Sequence, residues 1–173
     1  MKLELVEHVD EQDRVVGHVS RSEAVQGRLL YRMAMVLVRD KQGRVLVHQR
    51  PDSSTRFPGQ YSWLVAGAVA VGESYEAAAS RELAEELGVR GTVRPLFKFR
   101  CEGEMSPYWF FVFETVVDGE HIVAEPAEVA WHGWLTDEEL DKAMQEWPFV
   151  SDSRDAYSRY QALGTSTSQP RTT

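Results

Sequence analysis

The segment 74–88, SYEAAASRELAEELG, constrains this chain more than any other. A serine precedes a run of strong helix formers, and a glycine stands where the helix should stop. At 3.6 residues per turn, Ala78, Leu83 and Leu87 fall on one stripe and Glu82, Glu85 and Glu86 on another. Such a helix must lay its apolar stripe on a surface, and the rest of the chain offers mostly strands. Residues 3–8 and 14–19 read as two short strands around the polar turn Asp10-Glu11-Gln12-Asp13. Ser20-Arg21-Ser22-Glu23 has capping-box spacing and opens a short helix ending near Gly27. The β-branched-rich runs 31–39 and 44–50 flank Asp40-Lys41-Gln42-Gly43, which predicts a hairpin.

Residues 51–60 form a polar loop, and 61–71 a strand with a turn in it. Strands are expected over 94–100, 108–117 and 129–134. Thr136-Asp137-Glu138-Glu139 is a second capping box, opening a helix to about Glu146, and 151–163 reads as a final helix. Strands come in runs and helices in isolated pieces. That predicts an α+β fold, a mixed β-sheet covered by helices with an N-terminal β-hairpin. No repeat or linker interrupts the pattern, so one domain is expected over residues 1–163, with the Ser/Thr-rich residues 164–173 as a disordered C-terminal tail.

A chain of 173 residues can bury a core of its own. Its net charge of −8 argues against binding a nucleic acid polymer or an anionic membrane. It leaves a small anionic substrate open, because a bound cation reverses the local sign. A single cysteine, Cys101, excludes an intramolecular disulfide and is expected as a packed strand residue. No run approaches the roughly 18 apolar residues of a membrane span, and acids interrupt the first residues where a secretory leader would be apolar. A cytoplasmic location is the expectation.

The acidic stripe is where chemistry enters. Glu82 lies beside both Glu85 and Glu86 on a helix, and like charges at that spacing repel. A divalent cation removes the repulsion, and hard oxygen donors without a nearby histidine or thiolate suit Mg²⁺ or Mn²⁺ rather than zinc. Taken alone the stripe also fits a solvated acidic face. The wider spacing narrows the choice: Gly67, five residues, Glu73, seven residues, Arg81-Glu82-Leu83, one residue, Glu85-Glu86, one residue, Gly88-Val89.

That spacing resembles the complete signature of the Nudix hydrolase superfamily. The resemblance implies an α/β/α sandwich in which the signature forms a loop, a helix and a loop on a mixed sheet. It implies hydrolysis of a diphosphate bond in a nucleoside-diphosphate-linked or related small molecule. Glu82, Glu85 and Glu86 would be the metal ligands, and one of them, or a glutamate from another loop, the general base. Arg81 and Glu73 would pair to hold the loop, Gly67 would allow a sharp backbone turn near the metal, and Gly88 would end the helix.

Beyond the signature, the opening hairpin, Leu29-Leu30-Tyr31-Arg32, Gln49-Arg50-Pro51 and Phe57-Pro58-Gly59-Gln60-Tyr61-Ser62 look like the isopentenyl-diphosphate-isomerase branch. Laid over this chain, the isomerase pattern puts Ala66 at the nucleophilic cysteine, Ala24, Tyr31 and Ala68 at metal-binding histidines, and Tyr108 at the catalytic glutamate. Alanine can neither donate a proton nor bind metal. Isomerisation is therefore the least favoured reading, and a nucleotide- or diphosphate-binding regulatory module without turnover is the other alternative. Arg50 and Arg32 are candidates for substrate phosphates and Glu128 for an additional carboxylate. Glu102 and Glu104 are weaker candidates, and Tyr61, Trp63, Trp109 and Phe111 are either pocket or core. Trp131, Trp134 and Trp147 read as packing, and the scattered histidines His18, His48, His121 and His132 as surface or core polar groups. The protein is expected as a monomer or homodimer.

Overall fold

The computed structural model describes residues 4–166. Residues 1–3 and 167–173 lie outside the described residues, and with them the start of the first expected strand and most of the expected tail. Strands Leu5–Val9 (β1) and Val15–Ser20 (β2) pair antiparallel. The turn between them closes because the Asp10 carboxylate accepts the amides of Gln12 and Arg14 at 2.9 and 3.0 Å. Ser20 ends β2 and caps Arg21–Gln26 (α1). Its Oγ accepts Glu23 N at 3.2 Å, and the Glu23 carboxylate accepts Ser20 N at 2.9 Å.

The main sheet holds Tyr31–Asp40 (β3), Val45–Gln49 (β4), Tyr61–Ser62 (β5), Val65–Ala68 (β6), Arg94–Cys101 (β7), Tyr108–Val117 (β8) and Trp131–Leu135 (β9). Its order is β5-β4-β3-β8-β7, with β6 also paired to β3 and β9 to β4. The central pair β3/β8 is parallel from Tyr31↔Tyr108 to Asp40↔Val117, and the other pairings are antiparallel. The sheet is thus mixed, as expected.

β3 reads as an almost unbroken apolar run because both its faces are covered. Ala34, Val36 and Val38 face the helix Tyr75–Leu87 (α2) together with Val65, Phe113 and Val129. Met33, Met35 and Leu37 face the opposite layer, to which Asp137–Glu146 (α3) contributes Leu140 and Ala143, and Ser151–Ser166 (α4) contributes Ala156 and Tyr157. Thr136 caps α3 with the reciprocal bonds its sequence announced.

Three boundaries differ from expectation. The 61–71 segment is two strands, because the Ser62 hydroxyl accepts Leu64 N at 3.2 Å and breaks the ladder. Val129 belongs to the turn before β9 and is buried against α2. α4 runs through Gly164 to Ser166. A glycine costs a helix only about 1 kcal/mol, too little to end one anchored by Trp63 against Tyr157 and Tyr160.

One topological detail positions the site. β3 and β4 share only the register pair Arg39↔Val45. Beyond it they splay, and β6 takes the place beside β3 at Met33↔Ala68 through Val36↔Val65. The sheet therefore splits between β4 and β6.

Candidate active site

α2 begins at Ser74, whose Oγ accepts Ala77 N at 3.1 Å, and ends at Gly88 in the left-handed conformation, φ 66°. Gly88 N donates to Ala84 O and Val89 N to Leu83 O, which satisfies the last carbonyls. Ala78, Ala79, Leu83 and Leu87 are buried against the sheet, which fixes the rotation of the helix. That rotation turns Glu82, Glu85 and Glu86 toward the split. Glu82 lies directly over β6: a Cβ on Gly67 would sit 1.9 Å from its carboxyl. Gly67 is thus a strand residue paired with Ala34, not the sharp turn expected of it, and its glycine is required by the close approach of Glu82.

Arg81 organises the loop before the helix. Its Nε and Nη2 donate to the two Glu73 oxygens at 2.9 and 3.0 Å, and Nη2 also reaches Ala68 O at 2.9 Å. Glu73 accepts Ala70 N at 2.9 Å, closing the turn. The other face of the guanidinium meets the acidic stripe, with Nη1 donating to Glu82 at 2.5 Å and to Glu85 at 3.2 Å.

Glu86 is the most buried carboxylate of the stripe, 5% exposed. Burial pushes its pKa up to about 8, helped by the negative charges of Glu82, Glu128 and Glu85 and opposed by Arg50. Burial also raises Glu82, against the lowering effect of Arg81. Glu128, from the turn before β9, and Arg50, from the end of β4, thereby join the helix glutamates. Arg50 stands 3.9 Å from Glu128, and its Nε donates to Arg56 O at 2.9 Å.

These groups line a cleft of about 460 Å³ at the split of the sheet. α2 contributes Arg81, Glu82, Glu85 and Glu86; His48, Arg50, Arg56 and Glu128 line it from other elements; Met33, Met35, Ala66 and Phe110 give it an apolar lining, and Asp152 and Ser153 from the first turn of α4 also border it. Residues 30–160 match the sequence model of the NUDIX domain. The chain belongs to that family.

An uncharacterised Nudix hydrolase of Streptomyces coelicolor is 43% identical over 162 residues, covering 92% of this chain and 89% of the relative. A prenyl-diphosphate phosphatase of Methanosarcina mazei is 30% identical over 150 residues (83% and 86% covered), and an isopentenyl-diphosphate Δ-isomerase of Nocardia farcinica 39% over 143 residues (78% and 81%). Among solved structures, the Deinococcus radiodurans protein DR0079 superposes with a TM-score of 0.77 at 29% identity, covering 90% of this chain and 98% of its own. The fold is the Nudix sandwich anticipated from the signature, and the chain is a hydrolase acting on diphosphate bonds, related to the isomerase branch but without its cysteine and histidines.

Not every candidate residue falls in the Nudix cleft. Arg32 is absent from its lining. Its Nε and Nη2 donate to the Asp13 carboxylate and carbonyl, both at 2.7 Å, and Nη1 to Glu7 at 2.6 Å, so it clamps the N-terminal hairpin to β3 instead of facing phosphate. Trp63 is fully buried and donates to Ser153 O, Trp109 donates to Asp10 O, Phe111 packs on Tyr75, and Tyr61 packs among Trp131, Trp147 and Phe149. None of the four lines the cleft. Glu102 pairs with Arg100, and Glu104 accepts from Ser151. Conversely, Arg21, Arg56, His48, Asp152 and Ser153 border the cleft without having been singled out for it. Arg21 and Arg56 sit in unremarkable polar contexts, and the last two come from the final helix, to which the sequence assigned no role.

Among the described residues no three His, Cys, Asp or Glu side chains are gathered in metal-binding geometry. Arg81 Nη1 instead donates to both Glu82 and Glu85. The donor set nevertheless suits a hard dication. It consists of carboxylates alone, two of them held toward protonation by burial, and Gly67 leaves room for Glu82 beside the cleft.

Proposed function

We propose that this Nudix protein hydrolyses a diphosphate bond in a small soluble molecule in the cytoplasm, with Mg²⁺ or Mn²⁺ held by Glu82, Glu85 and Glu86. The observation that carries the reading is the convergence of Glu82, Glu85 and Glu86 from one helix with Glu128 and Arg50 from other elements on one cleft. Bound there, the dication supplies charge neutralisation at the phosphoryl oxygens and acidifies a water. Glu73 and Ala68 anchor Arg81 independently of its bonds to Glu82 and Glu85, so those two carboxylates would be free to hold the ion. Arg50 and Arg56 face the same cleft and take the negative charge of the diphosphate; burial and the neighbouring Arg21 disfavour the Arg56 charge, which an anion relieves. A glutamate of the set accepts the proton as water oxygen bonds to phosphorus and the bridging P–O bond breaks, leaving two phosphoryl or phosphate products.

Isomerisation of an allylic diphosphate finds no support in the cleft. Ala66 lines it where a thiol would be needed, and the only cysteine, Cys101, is buried toward Asp152 with its pKa pushed up to about 12, first by burial and then by that carboxylate. The test is phosphate or phosphoryl release from a panel of nucleotides, nucleotide sugars and isoprenoid diphosphates with Mg²⁺ and with Mn²⁺. Turnover that vanishes with chelator is the expected result. Silence across the panel with folded, metal-supplied protein would overturn the proposal in favour of a binding module.

A further inference from the structure

The hairpin β1/β2 lies outside residues 30–160, the stretch that matches the NUDIX domain, yet it fastens the turn that carries Glu73. That turn, Ala70-Val71-Gly72, is exposed, and Gly72 adopts a left-handed φ of 76° that suits glycine. From within, Glu73 closes it: the Glu73 carboxylate accepts Ala70 N at 2.9 Å, and Glu73 N donates to Ala70 O at 3.0 Å. From outside, β1 holds it at two points. Val6 forms an antiparallel bridge with Ala70, and Glu7 Oε1 accepts Gly72 N at 3.1 Å. Glu7 is 9% exposed, and its other oxygen accepts Arg32 Nη1 at 2.6 Å. One carboxylate therefore ties β3 to the turn, each oxygen serving one donor. The bonds then run on without a gap. Glu73 accepts Arg81 Nε and Nη2, and Arg81 Nη1 donates to Glu82 and Glu85.

We infer that Glu7 is a positioning residue for the metal site, acting through Gly72, Glu73 and Arg81 on Glu82 and Glu85. This rests on the reading that those two glutamates help to hold a dication. Glu7 itself does not line the cleft. It keeps the turn where the Glu73 carboxylate meets the Arg81 guanidinium through two bonds, a geometry that tolerates little displacement. Without Glu7 the turn loses the acceptor of its Gly72 amide and shifts, and Glu73 shifts with it. Arg81 is then held less firmly on Glu73 and pairs more completely with Glu82 and Glu85, the carboxylates a cation needs. Groups beyond the ligands that orient a metal site contribute about tenfold to a hundredfold in affinity.

The experiment measures calorimetric Mn²⁺ binding in wild type, Glu7→Ala, Glu7→Gln and Trp109→Phe. Trp109 Nε1 donates to Asp10 O at 3.2 Å, so Trp109→Phe loosens the hairpin at its own turn and leaves Glu7 and Gly72 alone. Glu7→Ala should weaken Mn²⁺ by about tenfold. Glutamine offers one acceptor oxygen to two donors, so Glu7→Gln should weaken it by less. Turnover of the diphosphate that wild type cleaves fastest should fall in Glu7→Ala at limiting Mn²⁺. It should recover when Mn²⁺ is raised about a hundredfold, which a loss of stability alone would not allow. Trp109→Phe should lower the melting temperature and keep Mn²⁺ affinity within about twofold of wild type. In metal-free protein, the Arg81 Nε–H proton should exchange with water about tenfold faster in Glu7→Ala and at the wild-type rate in Trp109→Phe. Wild-type Mn²⁺ affinity in Glu7→Ala, an equal loss in Trp109→Phe, or an Arg81 proton indifferent to Glu7 would each overturn the inference. A wild type that binds no Mn²⁺ would strike at the metal reading instead, and the Arg81 exchange rate would still decide whether Glu7 positions that arginine.

Discussion

Glu86→Gln separates the electrostatic cost of the acidic cluster from its use. The Glu86 carboxyl is raised from 4.5 to about 8, and burial is the larger cause, so much of the penalty persists whatever its neighbours do. At roughly 1.4 kcal/mol per pKa unit this corresponds to about 5 kcal/mol as an upper bound, which relaxation around the carboxyl reduces to a few kcal/mol. Because the folded-state pKa lies above the unfolded one, the folded protein keeps a proton that the unfolded chain has released. The contribution to stability is fully present below about pH 4.5 and lost as the pH rises through about 8. Metal-free wild type should therefore lose about 2–4 kcal/mol of unfolding free energy from about pH 5 to about pH 9 relative to Glu86→Gln, which should be the more stable protein at the alkaline end. Urea melts followed by circular dichroism in chelator measure the slope. Mg²⁺ should flatten it in the wild type and leave the variant unchanged, while turnover of the variant falls by about a hundredfold or more. Equal slopes in the two proteins, or a variant less stable at about pH 9, would refute the argument that buried like charge is stored at this position.

Gly67→Ala places a Cβ in the volume of the Glu82 carboxyl, so Glu82 must swing away. Calorimetric Mn²⁺ affinity and turnover should both fall by about tenfold to a hundredfold, with stability changed by less than about 1 kcal/mol, because the displaced group is the end of a flexible side chain. Arg32→Ala leaves Glu7 and Asp13 without their guanidinium and should cost about 2–4 kcal/mol with KM unchanged; Arg50→Ala should do the reverse, raising KM by about tenfold while stability holds. Denaturation against pH will show two opposed effects on the acid side. His48, lowered to about 4, stays neutral when folded, so its effect is to reduce stability as the pH drops from about 6.5 to about 4. Asp152, raised to about 6 mainly by burial, works in the opposite sense between about 3.8 and 6, and Asp152→Asn should steepen the acid loss by about 2 kcal/mol.

Local rules made the acidic half of this cleft legible and left the other half dark. Ser20, Ser74 and Thr136 cap helices through bonds to residues three positions on, so their chemistry is written within one turn. The same is true of Glu82, Glu85 and Glu86, whose common direction follows from a single apolar stripe. Arg32 and Arg50 looked alike because each is an arginine on a strand; what separates them is a hairpin folded back so that Glu7 and Asp13, 25 and 19 residues earlier, claim the first. Alternation along β4 places His48 on the face of Leu46, but it does not say that β4 leaves β3 after one register pair and opens a cleft there. Ser153 reaches that opening from about a hundred residues further on, carried by a helix whose apolar residues pack like any other. In this fold the proposed metal ligands therefore come from one contiguous helix, while Arg50, Arg56 and Glu128 border the same cleft from other elements, brought there by the splitting of the sheet.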